Sequence, residues 1–278
     1  GGFAYWQGSQ YADGYLTAYA LDVLFTAQKQ GYKTDKEVLD KAVAWLNSYL
    51  SAKQESVYKY SVQEDALAKA YGVYALALYG NNNAGAYFNN LYVNRASLGL
   101  EGKIYLLKAA GSLKLTAQAA ELKRDILNYA AQTPQTLNFE AASQMWIYSS
   151  SAKVTALALE ALLEQGGFAE DYKAAAWLNA ALGAKGGLGV TTDNALAFRA
   201  LSAYIKTKEA QEADFTADIK LNGADFVQTS FKGRTDALQT FNEDLNKLFK
   251  NNSSVKAQIA KSGQGTLYYK AALNYYAV

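Results

Sequence analysis

Five carboxylates are the residues best placed by type and spacing to do acid–base chemistry. Asp13, Asp22, Glu64, Asp65 and Asp193 lie on or beside the most apolar helical stretches of the chain. Two facing carboxylates are the equipment of glycoside hydrolysis. Three of the five, Asp13, Glu64 and Asp193, stand at or near helix starts, where N-capping or the helix dipole explains them. They form no clustered Asp-Asp motif of the kind used in terpene cyclisation. The chain has 278 residues with no histidine and no cysteine. That excludes a cysteine nucleophile, a serine–histidine relay and a zinc site built on Cys or His. No catalytic residue, metal site or cofactor is therefore assigned. The glycine pairs Gly1-Gly2 and Gly186-Gly187 lack the spacing and lysine of a phosphate loop and read as turns between helices.

Hydrophobic residues make up 50% of the chain, enough for a large core, and the net charge is only +2. A near-neutral chain with scattered charge gives no reason to expect a nucleic-acid partner. No apolar run approaches the ~20 residues that cross a bilayer. With 22 tyrosines and one proline, the composition suits long helices and aromatic rings at wet boundaries.

The elements that must position these residues repeat one idea. The glycine–aromatic turn Gly1-Gly2-Phe3-Ala4-Tyr5-Trp6 runs into an Ala- and Leu-rich helix, and related helices recur around residues 70–79, 154–163 and 194–201. Between them lie amphipathic helices. The clearest has Val38, Leu39, Ala42, Val43, Leu46, Tyr49 and Leu50 at helical spacing, behind a capping box of Thr34 and Glu37. The spacing predicts helices over about 13–31, 63–79, 84–95, 100–110, 116–131, 152–165, 171–182 and 192–206, with an extended or irregular crossing over 137–151. Apolar inner helices alternating with amphipathic outer ones describe an α/α toroid. Near Glu209 the period changes from 3.6 to 2. Phe215, Ala217, Ile219 and Leu221 alternate with polar residues before the hairpin signal Asn222-Gly223, and Val227, Thr229 and Phe231 continue beyond it. Further strands are expected at 255–259 and 267–276, and 241–249 is open between strand and short helix. The fold class is mainly α: an incomplete α/α toroid over 1–208 followed by a small antiparallel all-β sandwich portion over 209–278.

The order of these motifs resembles the thioester domain of the bacterial alpha-2-macroglobulin family. The likeness rests on Gly1-Gly2-Phe3-Ala4-Tyr5-Trp6 with Tyr15-Leu16-Thr17-Ala18-Tyr19, on Lys153-Val154-Thr155-Ala156-Leu157-Ala158-Leu159-Glu160, on Gly186-Gly187-Leu188-Gly189-Val190-Thr191-Thr192-Asp193-Asn194, and on Gly263-Gln264-Gly265-Thr266-Leu267-Tyr268-Tyr269. The resemblance implies a toroid inserted in a CUB-like β-sandwich, with the first toroid helices and first sandwich strands outside this chain. It implies a non-enzymatic fragment of a protease inhibitor whose parent traps proteases and contacts its own other macroglobulin domains. The family's thioester joins a cysteine to a glutamine, so it lies outside this cysteine-free chain or is absent. Phe3, Tyr5, Trp6, Tyr15, Tyr58 and Tyr60 are then candidates to shield the reactive site from water, with core packing as the alternative for each. The implied location is exported, periplasmic or cell-surface, with a lipid anchor on the parent and no membrane contact by this fragment. Two other readings stand beside it. One is a toroid enzyme acting on polysaccharide or isoprenoid, marked by a deep cleft with two facing carboxylates. The other is a passive surface or adhesion module.

Overall fold

The structure is a computed structural model that describes residues 1–9, 11–53, 56, 60–141, 149–183, 186–234, 238–250 and 253–274. It divides into two compact units, Gly1–Ala203 and Tyr204–Val278.

The first unit is built from helices of two kinds. Helices α3 (Val62–Tyr79), α5 (Leu100–Ser112) and α7 (Ser151–Glu164) are buried on nearly every side. In α5 every residue from Glu101 to Ala110 is buried, and in α7 every residue from Lys153 to Leu163. Helix α1 (Gly14–Lys29) packs on α3, α3 on α5 and α5 on α7, so these apolar helices form one inner layer in chain order. Around them lie α2 (Lys36–Leu50) against α1 and α3, α4 (Ala84–Val93) against α3 and α5, α6 (Thr116–Leu127) against α5, and α8 (Asp171–Leu182) against α7. Leu76, Ile104, Leu106, Leu107, Leu159 and Leu162 are fully buried between the layers, each contributing about 1.5–3 kcal/mol by leaving water. This inner and outer arrangement is the one the alternating composition predicts.

Helix starts follow local chemistry. Ser61 and Glu64 form a reciprocal capping box at α3. The box expected at Thr34 and Glu37 does not form. Asp35 caps α2 instead, its carboxylate accepting from the Glu37 N–H at 2.8 Å. A charged carboxylate is the stronger acceptor for the helix's free N–H groups. The helix expected to run to 131 stops at Leu127, and a hairpin follows: β1 (Ala130–Gln132) pairs antiparallel with β2 (Leu137–Phe139). Pro134 sits in the connection, which the Thr133 N–H closes onto the Thr136 carbonyl at 2.8 Å. Leu137 and Phe139 are buried, and the Phe139 N–H donates to Thr155 Oγ1 of α7 at 2.9 Å. Three-residue strands leave too little alternation to read in a sequence. The Trp146-Ile147-Tyr148 part of the expected crossing lies outside the described residues. Helix α9 (Thr191–Lys208) closes the helical series.

The second unit holds β3 (Ala213–Leu221), β4 (Ala224–Gly233) and β5 (Ala257–Gln264) in the antiparallel order β4-β3-β5. The Asn222-Gly223 connection has φ +52° and +83°, the type I′ turn that matches strand twist. Phe215 and Ala217 are buried, and Phe215 packs on Phe231 with ring centroids 5.0 Å apart. Segment 241–249 contains the short helix α10 (Leu245–Phe249). Residues 267–274, expected as a strand, are not in one. Alternation proposes a strand, but a neighbouring backbone must complete it. Side chains hold this segment instead: Tyr268 Oη lies 3.0 Å from Tyr204 Oη and donates to Glu209 at 2.6 Å. Tyr275 and Tyr276 lie outside the described residues.

Candidate functional site

The glycine–aromatic turn is anchored at α1 by one hydroxyl and one backbone N–H. The Phe3 N–H donates to Thr17 Oγ1 at 2.9 Å, and the Asp13 N–H donates to the Phe3 carbonyl at 2.8 Å. Asp13 Oδ1 caps α1 through the Leu16 N–H at 2.7 Å. Its Oδ2 accepts from Ser56 Oγ at 3.0 Å and from the Tyr60 hydroxyl. Burial, and then the adjoining Asp13 carboxylate, push the Tyr60 phenol above its ordinary range. Phe3 and Tyr60 therefore belong to the anchor. Trp6 is 78% exposed. Tyr58 lies outside the described residues.

Tyr5 and Tyr15 meet inside the helical unit. They line a cavity of about 120 Å³ together with Tyr19 of α1, Tyr71 of α3 and Tyr105 of α5. Tyr71 and Tyr105 stack with centroids 4.0 Å apart, and Tyr15 stands edge-on to Tyr71 at 5.3 Å. Burial raises the Tyr15, Tyr71 and Tyr105 phenols above their ordinary pKa, so all three are neutral hydroxyls near neutrality.

Asp22, Lys108 and Arg199, from three helices, line the same cavity, and Glu160 of a fourth joins them behind it. Arg199 of α9 lies against Glu160 of α7 at 3.0 Å and has Asp22 of α1 at 3.8 Å. Lys108 of α5 bridges Glu160 at 3.1 Å and Glu164 at 2.7 Å. Tyr71 Oη donates to Asp22 at 2.9 Å. Burial alone would raise the Glu160 pKa, but Lys108 and Arg199 hold it below the ordinary carboxylate range. Burial alone would lower the Lys108 pKa, but Glu160, Tyr74 and Glu164 carry it above the ordinary lysine range. A second buried pair, Lys153 with Glu101 at 2.8 Å, lies nearby, the lysine 5.4 Å from the Tyr15 ring centroid.

The candidate acid–base carboxylates all have structural work. Asp13 and Glu64 cap helices, Asp65 takes the Tyr49 hydroxyl at 2.8 Å and Lys69 at 2.6 Å, and Asp193 takes Ser150 Oγ at 2.6 Å. Asp22 faces the cavity, but Tyr71 and Arg199 occupy it. The cavity volume equals the share of roughly four liquid waters, below the ~300 Å³ at which small-molecule sites begin. That is not the sugar-sized cleft with two facing carboxylates that marks a toroid hydrolase. In the β unit a groove of about 550 Å³ runs beside β5, lined by Ile259, Lys261, Leu267 and Tyr269 without a carboxylate. Among the described residues no group of His, Cys, Asp and Glu could hold a metal ion, and no helix is long and apolar enough to cross a membrane.

The convergence of Asp22, Lys108, Glu160 and Arg199 was not anticipated from the sequence, although one signal exists. Each is a charge set within an apolar helical run, a position tolerated only when a partner compensates it.

No protein-family model and no curated protein matches the chain. Solved structures do. Salmonella alpha-2-macroglobulin reacted with methylamine is 23% identical over 84% of this chain and 14% of that one, with a TM-score of 0.60. Trypsin-activated alpha-2-macroglobulin from Escherichia coli is 16% identical over 94% of this chain and 15% of that one, with a TM-score of 0.63. This is the fold of a segment of bacterial alpha-2-macroglobulin. A native E. coli form spanning domain MG7 to the C-terminus is 18% identical over 94% of this chain and 36% of that one, with a TM-score of 0.60. The chain thus spans between about a seventh and about a third of the length of these macroglobulin chains.

Proposed function

We propose that this chain is a segment of a bacterial alpha-2-macroglobulin-like protease inhibitor, with a thioester-type toroid over 1–208 and a CUB-like portion over 209–278. The observation that carries the reading is the fold likeness over 94% of the chain. Together with the four sequence motifs it favours a trap over an enzyme or a passive adhesin.

The thioester bond needs a cysteine, and this chain has none. Its reactive centre therefore belongs to another part of the parent, or the parent captures by shape change alone. The glycine–aromatic turn is the surface we assign to that centre. Thr17 and the Asp13 N–H hold the turn at Phe3, and Tyr60 holds Asp13. Exposed Trp6 and half-exposed Tyr5 are the rings available to shield a reactive bond from water. Tyr15 backs them from inside the cavity. The partners in this reading are proteases and the parent's other macroglobulin domains, and the location is the periplasm or cell surface with a lipid anchor on the parent.

The test uses the full-length parent incubated with trypsin. Trapping predicts that the captured protease still cleaves small chromogenic peptides but loses activity on large protein substrates. Undiminished activity on both substrates overturns the reading. Intact mass before and after methylamine then divides the two capture modes. A gain of one amine with one new titratable thiol assigns covalent capture, and no gain in a cysteine-free parent assigns capture by shape.

A further inference from the structure

The tightest turn of the β unit carries chemistry of its own. β3 and β4 are joined by Asn222-Gly223, both exposed, at φ +52° and +83°. An asparagine amide followed by glycine is open to attack by the next backbone nitrogen, because glycine has no side chain to shield it. A Cβ at Gly223 would meet nothing within 4 Å, so no neighbouring group crowds the attacking residue. The Asn222 amide is also oriented. Its Oδ1 accepts from the Lys256 N–H at 2.9 Å, and its Nδ2 donates to the Leu248 carbonyl at 3.3 Å. The Asn222 N–H donates to the Lys256 carbonyl at 2.8 Å. The Lys256 N–H thus points at the oxygen on which negative charge develops when the amide carbon is attacked, the arrangement of an oxyanion donor. The longer Nδ2 bond is the weaker restraint, and it holds the nitrogen that must leave.

We propose that Asn222 is a self-modification site, converting to isoaspartate or aspartate without an enzyme, and that the isoaspartyl product breaks the local register of the hairpin. The Gly223 nitrogen gives its proton to water and attacks Cγ of Asn222. The new N–Cγ bond closes a succinimide, the Cγ–Nδ2 bond breaks, and the nitrogen leaves as ammonia after taking up a proton. Water then opens the ring at one of its two carbonyls. The balance is amide plus water giving carboxylic acid plus ammonia, with no redox change. The aspartate carboxylate still accepts from Lys256 but has no N–H to give the Leu248 carbonyl, whereas the isoaspartate carboxylate sits directly on Cα and is displaced from Lys256. An isoaspartyl link also adds a methylene to a two-residue turn, which breaks the local registers Leu221 to Ala224 and Leu221 to Ala257.

Peptide mapping by mass spectrometry tests this on the whole chain, incubated folded and in urea at mildly alkaline pH. The expected result is a gain of about one dalton at Asn222 with isoaspartate in the folded chain, ahead of conversion at Asn81, Asn82 and Asn83. Gly223→Ala should slow it several-fold, in urea as well as folded, which separates the chemistry from any folding defect. Deuterium exchange at the Lys256 amide should speed up several-fold in the isoaspartyl product, whose carboxylate is displaced, and stay near the starting rate in Asn222→Asp, whose carboxylate still accepts from it. If Asn222 converts in urea but stays intact in the folded chain, its hydrogen bonds protect it and the proposal fails. An isoaspartyl product with unchanged Lys256 exchange overturns the break in register.

Discussion

Single charges in the helical core carry more consequence than any surface residue. Lys108 is 1% exposed at its side chain and compensates both Glu160 and Glu164. Lys108→Met leaves a buried Glu160 with Arg199 alone, and we expect a loss of about 3–5 kcal/mol in urea unfolding. Adding Glu160→Gln should recover part of it, because the second change removes the stranded charge. The same pair sets an acid limit. The folded Glu160 carboxyl lies below its ordinary 4.5, so the unfolded chain binds that proton first as pH falls. The stability from Glu160 is full above 4.5 and is lost as pH drops from there through the folded value. A series of urea melts should show this fall, and Glu160→Gln should flatten it. A melt whose acid slope is unchanged by Glu160→Gln would show that other groups set the limit.

At the scale of elements, helix ends and helix interiors make separate predictions. Asp13→Ala removes the α1 cap and the tether of Tyr60 and Ser56 together. The cap alone is worth about 1–2 kcal/mol, so the thermal midpoint should fall by at least that equivalent, with α1 and the glycine–aromatic turn fraying first by hydrogen exchange. Gly72 is the opposite case. It lies in the middle of buried α3, and a Cβ there would meet Leu46 and Leu50 at 3.6 Å, ordinary contact distance. Gly72→Ala should therefore stabilise by about 0.5–1 kcal/mol through helix propensity. The long periodic helices and the Asn222-Gly223 hairpin were legible because each repeats or concentrates a local preference over many residues. The β1–β2 hairpin was not, because strands of three residues carry no period. Residues 267–274 show the converse, a clear alternation that forms no strand without a neighbouring backbone to pair with.

Across the whole molecule the buried tyrosines should titrate only as the fold opens. Tyr15, Tyr71 and Tyr105 have phenols raised by burial. Ultraviolet titration should show them un-ionised past the ordinary value of 10.0 and ionising in a cooperative step at unfolding. Below 10.0 both states hold their phenol protons and stability is unaffected. Above it the unfolded chain ionises first, so stability falls as pH rises. A single gradual step would mean the inner tyrosines are wetted. The sequence by itself determined the mainly α class, the inner and outer alternation, the change to β near Glu209 and the exclusion of histidine and cysteine chemistry. Those follow from composition and period, which are local along the chain. Only the tertiary structure decided that Tyr5 and Tyr15 share a cavity while Trp6 is exposed. It alone joined Asp22, Lys108, Glu160 and Arg199, because residues up to 177 positions apart become neighbours only when the inner helices pack. Burial then makes each charge require the others, a dependence that no local pattern in the chain records.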